Sequence, residues 1–301
     1  MATIKTITAT INGQSYNLTY NNVTRKYEAT VTAPSTTSYN NNAGHYFPVT
    51  LKATDTAGNM TTINDTDSKF GANLKLRVKE TVKPVINITS IGANAIITNN
   101  SPVIEFTVTD GGAGVNKSTV VLKVNDSPVV LSEPVVISNG FKYSYATSGL
   151  KDGVNNISID CKDFDDNVAV TANRSFTVDT VPPILNVTAP VNAFITNKAS
   201  CNVVGTTNDV TTSPVTVKIS VNSTDAGAVT VGGGGTFTKA ITLTEGSNTI
   251  QITSTDRAGK STTVTRTVEL DTKPPVFTSV SVAPNPVNTG VSYVISVEVN
   301  S

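Results

Sequence analysis

Side chains that could do covalent chemistry are scarce in this sequence. His45 is the only histidine, so any catalytic dyad or triad with a histidine base depends on it. Cys161 and Cys201 are the only cysteines, and neither has a histidine nearby in the sequence, which disfavours a thiolate nucleophile. The glycines at 232–235 lack the Lys-Ser/Thr of a phosphate-binding loop and indicate a mobile loop tip. We therefore expect no catalytic residue, no cofactor-binding residue and no enzymatic activity.

One acidic stretch has the chemistry of a metal site. Asp163, Asp165 and Asp166 lie in one predicted turn, and hard oxygen ligands at this spacing suit Ca²⁺. The equivalent turns of two other repeats keep only Asp55 and Asp256, and an Asp side chain commonly holds its own backbone in a turn. A solvated turn without metal is the preferred interpretation, and a calcium site is the alternative.

Composition and charge narrow the function classes further. The chain has 22 Lys and Arg against 22 Asp and Glu, which gives a formal net charge of zero. With no basic stripe in the sequence, electrostatic binding to nucleic acid or to an anionic membrane has no basis. No apolar run is long enough to span a bilayer, so we expect no membrane insertion.

The N-terminus and the cysteines bear on the compartment. Residues 1–8 alternate like a strand and lack the continuous apolar region of a secretory signal, so we expect no export by that route. Cys161 and Cys201 fall in different repeats, each inside an alternating apolar run, which predicts two buried, reduced thiols. Both features are consistent with synthesis in a reducing cytoplasm.

Internal repetition is the strongest signal in the sequence. Asp55, Asp163 and Asp256 each stand in a turn between two alternating apolar runs. The runs that begin Asp152-Gly153-Val154-Asn155 and Glu245-Gly246-Ser247-Asn248 both start eleven residues before that Asp (152 to 163, 245 to 256). An identical offset in two copies indicates duplicated modules.

Proline marks the module boundaries. Lys83-Pro84, Pro182-Pro183 and Pro274-Pro275 each follow one strand-like run and precede another, and proline stops a strand from continuing. The predicted modules are 1–81, 82–180 and 181–273, and a partial repeat remains at 274–301.

Short alternating runs predict strands throughout. Asn12-Gly13 between two such runs predicts a type I′ hairpin, and Arg25–Val31 is predicted to continue the meander. Ile104, Phe106 and Val108 alternate in the second module, as do Val215, Val217, Ile219 and Val221 in the third. The predicted fold class is all-β, with tandem immunoglobulin-like β-sandwich domains.

The C-terminal segment 274–301 has only two alternating runs, too few to close a sandwich. Its second run would expose an apolar stripe and unpaired backbone groups, which favour strand addition by a partner. Folding back on the third module and a segment cut short of a full fourth domain are the alternatives. The protein-interaction candidates of the stripe are Val291, Tyr293, Ile295, Val297 and Val299.

The Asp-centred turns, the Asp/Glu-Gly-x-Asn-x-Ile runs and the Pro-Pro junctions resemble bacterial immunoglobulin-like repeats of adhesins and phage virion proteins. The first module, from Thr8-Ala9-Thr10-Ile11-Asn12-Gly13 through Gly44-His45-Tyr46 to Ala53-Thr54-Asp55, resembles an immunoglobulin-like protein of the tail region of Firmicutes phages and phage-tail-like bacteriocins. Such proteins are made in the host cytoplasm and released by lysis.

This resemblance implies a virion structural protein of a tail or baseplate, with the first module as the candidate for particle attachment. The implied partners are other virion or tail proteins, in a homo-oligomer on the particle. The alternatives are a carbohydrate- or receptor-binding adhesin, whose partner is a host-surface glycan, and a capsid decoration protein. An adhesin is expected to present exposed aromatic side chains on loops, and the one candidate set, Phe141, Tyr143 and Tyr145, alternates like a strand face instead.

Overall fold

The structure is a computed structural model that describes residues 3–300, so Met1, Ala2 and Ser301 of the predicted modules lie outside it. The described chain is all-β, which confirms the predicted fold class of tandem immunoglobulin-like domains. Two compact units divide it: the first holds the first module and most of the second (3–95 and 100–177), and the second holds residues 96–99, the third module and the C-terminal strands. The exact module boundaries stay a prediction.

The first module forms one sheet in place of the two facing sheets of a sandwich. The strand order is β3-β2-β1-β4-β5, and β6 pairs with β4. Phe47 and Leu74 are its only buried apolar side chains within the described residues, so little apolar surface is available to hold a second sheet. The strands are β1 (Ile4–Ile11), β2 (Gln14–Asn21), β3 (Lys26–Glu28), β4 (Phe47–Asp55), β5 (Met60–Ile63) and β6 (Lys75–Leu76).

The start of the first module follows the sequence pattern, and its continuation does not. Asn12 and Gly13 have φ of 49° and 77°, as a type I′ turn between β1 and β2 requires, which confirms the predicted hairpin. The prediction of a strand over Arg25–Val31 is wrong beyond Glu28. β3 is the edge strand of the sheet, and Ala29 and Val31 are exposed, so nothing buries the apolar face that suggested a longer strand.

The second module contains two sheets, ordered β11-β10-β14-β15-β8 and β12-β13-β9-β7. The predicted alternation of Ile104, Phe106 and Val108 in β9 is confirmed, because all three side chains are fully buried. The strands are β7 (Val85–Ile88), β8 (Ala95–Ile97), β9 (Val103–Thr109), β10 (Val115–Val124), β11 (Ser127–Pro128), β12 (Val135–Ile137), β13 (Gly140–Ala146), β14 (Gly153–Asp163) and β15 (Ala172–Val178).

The third module also contains two sheets, ordered β16-β18-β21 and β17-β23-β22-β19-β20. Its core includes Val217 and Ile219 of β19, as their alternation predicts, packed with Ile250, Ile252 and Val268. The strands are β16 (Ile184–Ala189), β17 (Phe194–Thr196), β18 (Ser200–Asn208), β19 (Thr216–Val221), β20 (Thr224–Asp225), β21 (Thr236–Thr242), β22 (Gly246–Thr255) and β23 (Ser261–Leu270).

The C-terminal segment forms a two-stranded antiparallel sheet of β24 (Val276–Ala283) and β25 (Val294–Asn300). All of its described residues are exposed. Ile295, Val297 and Val299 lie in β25 and share one face of the strand, whereas Val291 and Tyr293 precede it.

The repeated Gly-x-Asn motif has a structural role in both sandwiches. Asn248 is fully buried, and its amide nitrogen donates to the carbonyls of Thr244 (2.7 Å) and Gly246 (2.9 Å). Its Oδ1 accepts from the backbone nitrogen of Thr244 at 2.9 Å. Asn155 makes the corresponding donations to Lys151 and Gly153, both at 3.0 Å. A buried amide that satisfies the turn before the long strand explains why the spacing repeats.

Residues 232–235 are constrained by a close approach of the backbone. A Cβ at Gly235 would lie 1.8 Å from the carbonyl oxygen of Thr207, whereas a Cβ at Gly234 would meet nothing within 4 Å. Both residues have positive φ, 77° and 78°. Packing against β18 therefore requires glycine at position 235. The sequence pattern predicted a mobile loop tip here and did not reveal this contact.

This contact predicts a large difference between two neighbouring substitutions. Gly235→Ala must move the backbone of β18 and should lower the free energy of unfolding by more than about 2 kcal/mol. Gly234→Ala carries only the cost of positive φ, about 1 kcal/mol, and is the matched control. Urea denaturation of both variants measures the difference, and equal losses would contradict the packing argument.

The second module should fold without its neighbours. A fragment of residues 82–180 contains two complete sheets and a core of its own, so we expect a cooperative thermal transition and a β-type circular dichroism spectrum. The fragment 1–81, with one sheet, is the comparison and should melt at a lower temperature. A gradual, non-cooperative melt of 82–180 would show that the proposed boundaries are misplaced.

Candidate functional site: two buried carboxylate clusters

The acidic turn singled out in the sequence holds its own backbone, as predicted. Oδ1 of Asp163 accepts hydrogen bonds from the backbone nitrogens of Asp165 and Asn167, both at 2.8 Å. Asp55 and Asp256 do the same in their turns, with the nitrogens of Asn59 (2.8 Å) and Lys260 (2.9 Å). These bonds are those of an Asx turn, which fixes the connection between two antiparallel strands.

The three residues of the calcium candidate set do not converge on one point. Oδ2 of Asp165 accepts from Thr37 Oγ1 at 2.6 Å and from the backbone nitrogen of Glu80 at 3.0 Å. Asp166 pairs with Lys79 at 3.0 Å, and this hydrogen bond and charge lower the pKa of Asp166. Both side chains therefore connect the turn to the first module and to the segment that follows it, and only Asp163 remains as a metal ligand candidate.

Aromatic stacking completes this contact between the first two modules. The ring of Phe164 stacks on Tyr39 with centroids 4.3 Å apart, and Tyr39 stacks in turn on His45 at 4.0 Å. Nδ1 of His45 also contacts the carbonyl of Tyr39. His45 is exposed and stacks on Tyr39, so its side chain has a structural role at the surface.

A first cluster of carboxylates lies next to this contact. Glu80, Asp110 and Asp163 each contribute a carboxylate oxygen, and these oxygens lie within 4.8 Å of one another. Oδ1 of Asp110 accepts from the backbone nitrogens of Gly112 (3.0 Å) and Gly114 (2.9 Å), which orders the loop between β9 and β10. Its Oδ2 is buried and has no hydrogen-bond partner among residues 3–300.

Glu80 enters the cluster from the segment before the second module. Its Oε1 accepts from the backbone nitrogen of Ala113. A Cβ at Gly112 would lie 1.9 Å from the Glu80 carboxylate, so glycine leaves the space for this side chain. Burial is the largest effect on the pKa of Glu80 and raises it. The hydrogen bond from the Ala113 amide lowers this pKa, whereas the neighbouring carboxylates raise it further.

A second cluster stands at the matching place in the other unit. Asp179, Asp209 and Asp256 contribute carboxylate oxygens within 4.8 Å of one another, and all three residues are buried. Oδ1 of Asp209 accepts from the backbone nitrogens of Thr211 (2.8 Å) and Thr212 (2.6 Å), and Asp179 accepts from the Thr212 hydroxyl. Oδ2 of Asp256 is buried without a hydrogen-bond partner in the described part of the chain.

The sequence contains a signal for these clusters that the analysis of single turns missed. Glu80-Thr81-Val82-Lys83-Pro84 and Asp179-Thr180-Val181-Pro182-Pro183 share the order acid, Thr, Val, any residue, Pro. Each of these acids precedes the loop acid by thirty residues (80 to 110, 179 to 209). An acid at a fixed place before each proline junction, together with the loop acid and the turn acid, defines the repeated set.

The other residues singled out in the sequence lie apart from the clusters. Phe141, Tyr143 and Tyr145 share one face of β13, and Tyr143 is buried, so they do not form an exposed aromatic platform. No structural observation tests the interaction role of the C-terminal stripe. Among residues 3–300, no helix has the length and apolar character needed to cross a membrane.

One family model matches part of the chain. Residues 183–272 match the family model of glucodextranase, domain B. A search of curated proteins found no match.

The solved structures to which the chain is similar have low sequence identity to it. The fibronectin(III)-like modules of Clostridium thermocellum CbhA are 15% identical with a TM-score of 0.36, over 62% of this chain and 94% of theirs. Sidekick-1 immunoglobulin domains 1–5 are 12% identical with a TM-score of 0.42, over 99% of this chain and 60% of theirs. A 1.5-MDa bacterial ice-binding adhesin is 20% identical with a TM-score of 0.34, over 90% of this chain and 88% of that one.

The fold therefore defines a protein of tandem immunoglobulin-like modules, of which the second and third are β-sandwiches of two sheets each. Within that class, the third module is similar to domain B of glucodextranase.

The two cysteines differ in accessibility, which corrects one expectation. Both are free thiols, and Cys161 is buried as predicted, but Cys201 is only partly buried. Burial raises the pKa of Cys161 to about 11 and raises that of Cys201 as well. Cys201 lies near the start of β18, where neighbouring residues are exposed, so its side chain is not fully covered.

Thiol labelling should separate the two cysteines. At pH 8 the raised pKa leaves about 0.1% of Cys161 as thiolate, and its burial excludes reagent, so iodoacetamide should modify Cys201 first. Peptide mass spectrometry after short exposure measures both rates, and Cys201→Ser should leave a chain that labels only after denaturation. Rapid labelling of Cys161 in the folded chain would contradict its placement in the core.

Proposed function

We propose that this chain is a non-catalytic virion structural protein, a multi-domain component of a phage tail, baseplate or tail-like particle. The observation that carries the proposal is the built contact between the first two modules, in which Thr37 and Tyr39 meet Asp165 and Phe164. Direct contacts of this kind favour one arrangement of the two modules, which a part of a particle requires. The resemblance of the first module to tail-region proteins is the reason for proposing a phage tail or tail-like particle.

The polar side chains support a structural role over a catalytic one. The histidine braces a tyrosine, the turn acids cap their own loops, and Asn248 fills a turn. In each of these examples, a polar group that could have acted on a substrate instead holds another part of the chain. The proposed partners are neighbouring virion or tail proteins and further copies of the chain, and the proposed location is the virion, after synthesis in the host cytoplasm and release by lysis.

A carbohydrate- or receptor-binding adhesin is the second candidate. It is favoured by the match of residues 183–272 to a domain of glucodextranase, an enzyme named for a glucan. The glycan would lie on a host surface. A capsid decoration protein is a third assignment, and it differs from the first only in the part of the particle that carries the chain.

The attachment experiment uses the exposed stripe of β25. Ile295→Asp places a charge on the face shared by Val297 and Val299, whereas Ser296→Asp places the same charge on the opposite face and is the matched control. If a neighbouring subunit adds to the stripe, Ile295→Asp should lower the copy number in purified particles at least about tenfold, because a buried unpaired charge is costly at an interface.

Quantitative mass spectrometry of the particles measures the copy number and the position. A fixed, high copy number of the native chain in tail fractions is expected, and its presence only in capsid fractions would favour decoration. Absence from every particle, together with binding on a glycan array, would replace the proposal with the adhesin. Normal incorporation after deletion of 276–301 would show that the stripe is not the docking element.

A further inference from the structure

Among residues 3–300, the six clustered acids lack the cationic partners that buried charged side chains usually have. No salt bridge in the described part of the chain includes any of them. Backbone amides satisfy one oxygen of Asp110 and one of Asp209, but these amides also fix the loops so that the carboxylates stay close together. Like charges at this separation oppose ionisation unless a cation or a proton compensates them.

One oxygen in each cluster shows directly that a partner is missing. Asp110 and Asp256 are each only 6% exposed, and Oδ2 of each is buried with no hydrogen-bond partner among residues 3–300. Buried polar atoms in folded proteins nearly always have a partner, from the protein or from a bound water or ion. The oxygen without a partner belongs to Asp110, in the loop after β9, in the first cluster. In the second cluster it belongs to Asp256, in the turn after β22. Because the two positions are not equivalent, we attribute the unpartnered oxygen to the cluster as a whole and not to one acid.

The distances between the carboxylate oxygens and the chemical type of these atoms favour calcium as the ligand. Two oxygens bound to one Ca²⁺ at 2.3–2.6 Å lie up to about 5 Å apart, and the oxygens of each cluster lie within 4.8 Å. All six donors are carboxylate oxygens, with no cysteine or histidine among them, which suits a hard cation over zinc. Ca²⁺ also accepts backbone carbonyls and water in a flexible shell, whereas Mg²⁺ demands a near-ideal octahedron.

We propose that each cluster binds one calcium ion, at Glu80, Asp110 and Asp163 in the first unit and at Asp179, Asp209 and Asp256 in the second. These sites share only Asp163 with the set that the sequence suggested. In each site, one ligand comes from the segment before a module and two come from loops of that module. The ion therefore fastens the entering chain to the module, and in the first unit it reinforces the contact made by Asp165.

Titration of the full chain with calcium chloride tests the sites. After exhaustive dialysis against chelator, isothermal calorimetry should report two calcium ions per chain. The melting temperature should rise by about 5 °C or more in saturating calcium, because an ion that binds only the folded state stabilises it. Excess magnesium should give a smaller shift.

Substitutions assign each ion to its cluster. Asp110→Asn and Asp256→Asn keep an oxygen for the loop hydrogen bonds and remove the charge of the carboxylate whose second oxygen is buried without a partner. Each should reduce the stoichiometry to one ion per chain, and the double variant should bind none. Asp55→Asn in the equivalent turn of the first module and Asp166→Asn beside the first cluster are matched controls that should leave two ions bound.

Several results would overturn the proposal. Absence of calcium binding to the native chain, with equal melting temperatures in calcium and in chelator, would contradict both sites. An unchanged stoichiometry in the double variant would place the ions elsewhere. If a variant fails to fold, the stoichiometry and thermal shift of the native chain still decide the question.

Discussion

The proximity of three carboxylates is the constraint on which one end of the second module and one end of the third module depend. The oxygens of each cluster lie within 4.8 Å of one another, and two like charges at such a separation repel by roughly 3 kcal/mol at an effective dielectric constant of 20. The fold nevertheless holds them together, because each side chain also accepts backbone hydrogen bonds that give its loop a shape. The same carboxylate groups thus order the loops and repel one another. A bound cation offsets this repulsion.

The sandwich cores are independent of this constraint. Ile104, Phe106 and Val108 of β9 and their counterparts in the third module are buried by alternation along their strands, which requires no polar group. Strand faces therefore supply the stability of each sandwich, whereas acids and amides at the strand ends set how one segment of chain enters the next module. This division suits a protein whose role is to hold partners at defined positions, since the polar ends can vary without loss of the core.

The sequence predicted the features that depend on local pattern. Alternation of Val217 and Ile219 gave a strand and a buried face, and Asn12-Gly13 gave a hairpin with the required positive φ. The prediction of a strand beyond Glu28 was wrong, because burial of that segment would need a neighbouring strand that the sheet order does not provide. Alternation reports which residues can face a core, but not whether a second layer is present.

The clusters could not be predicted from any single turn. Asp110 and Asp163 are 53 residues apart in the sequence, and their meeting depends on how β9 and β14 place their loops at one end of the sandwich. Comparison of two repeats contained the information, since Glu80 and Asp179 precede the proline junctions in the same way. In contrast, the roles of Asp165 and Asp166 depend on contacts with Thr37, Lys79 and Glu80, which lie in the chain before the second module.

The occupancy of the clusters tests the central claim most directly. A crystal structure of the full chain grown in calcium should show one ion in each cluster, within about 2.3–2.6 Å of an oxygen from each of its three acids. The same crystals soaked in chelator should lose both ions. Clusters without an ion in saturating calcium, and unchanged by chelator, would contradict the account.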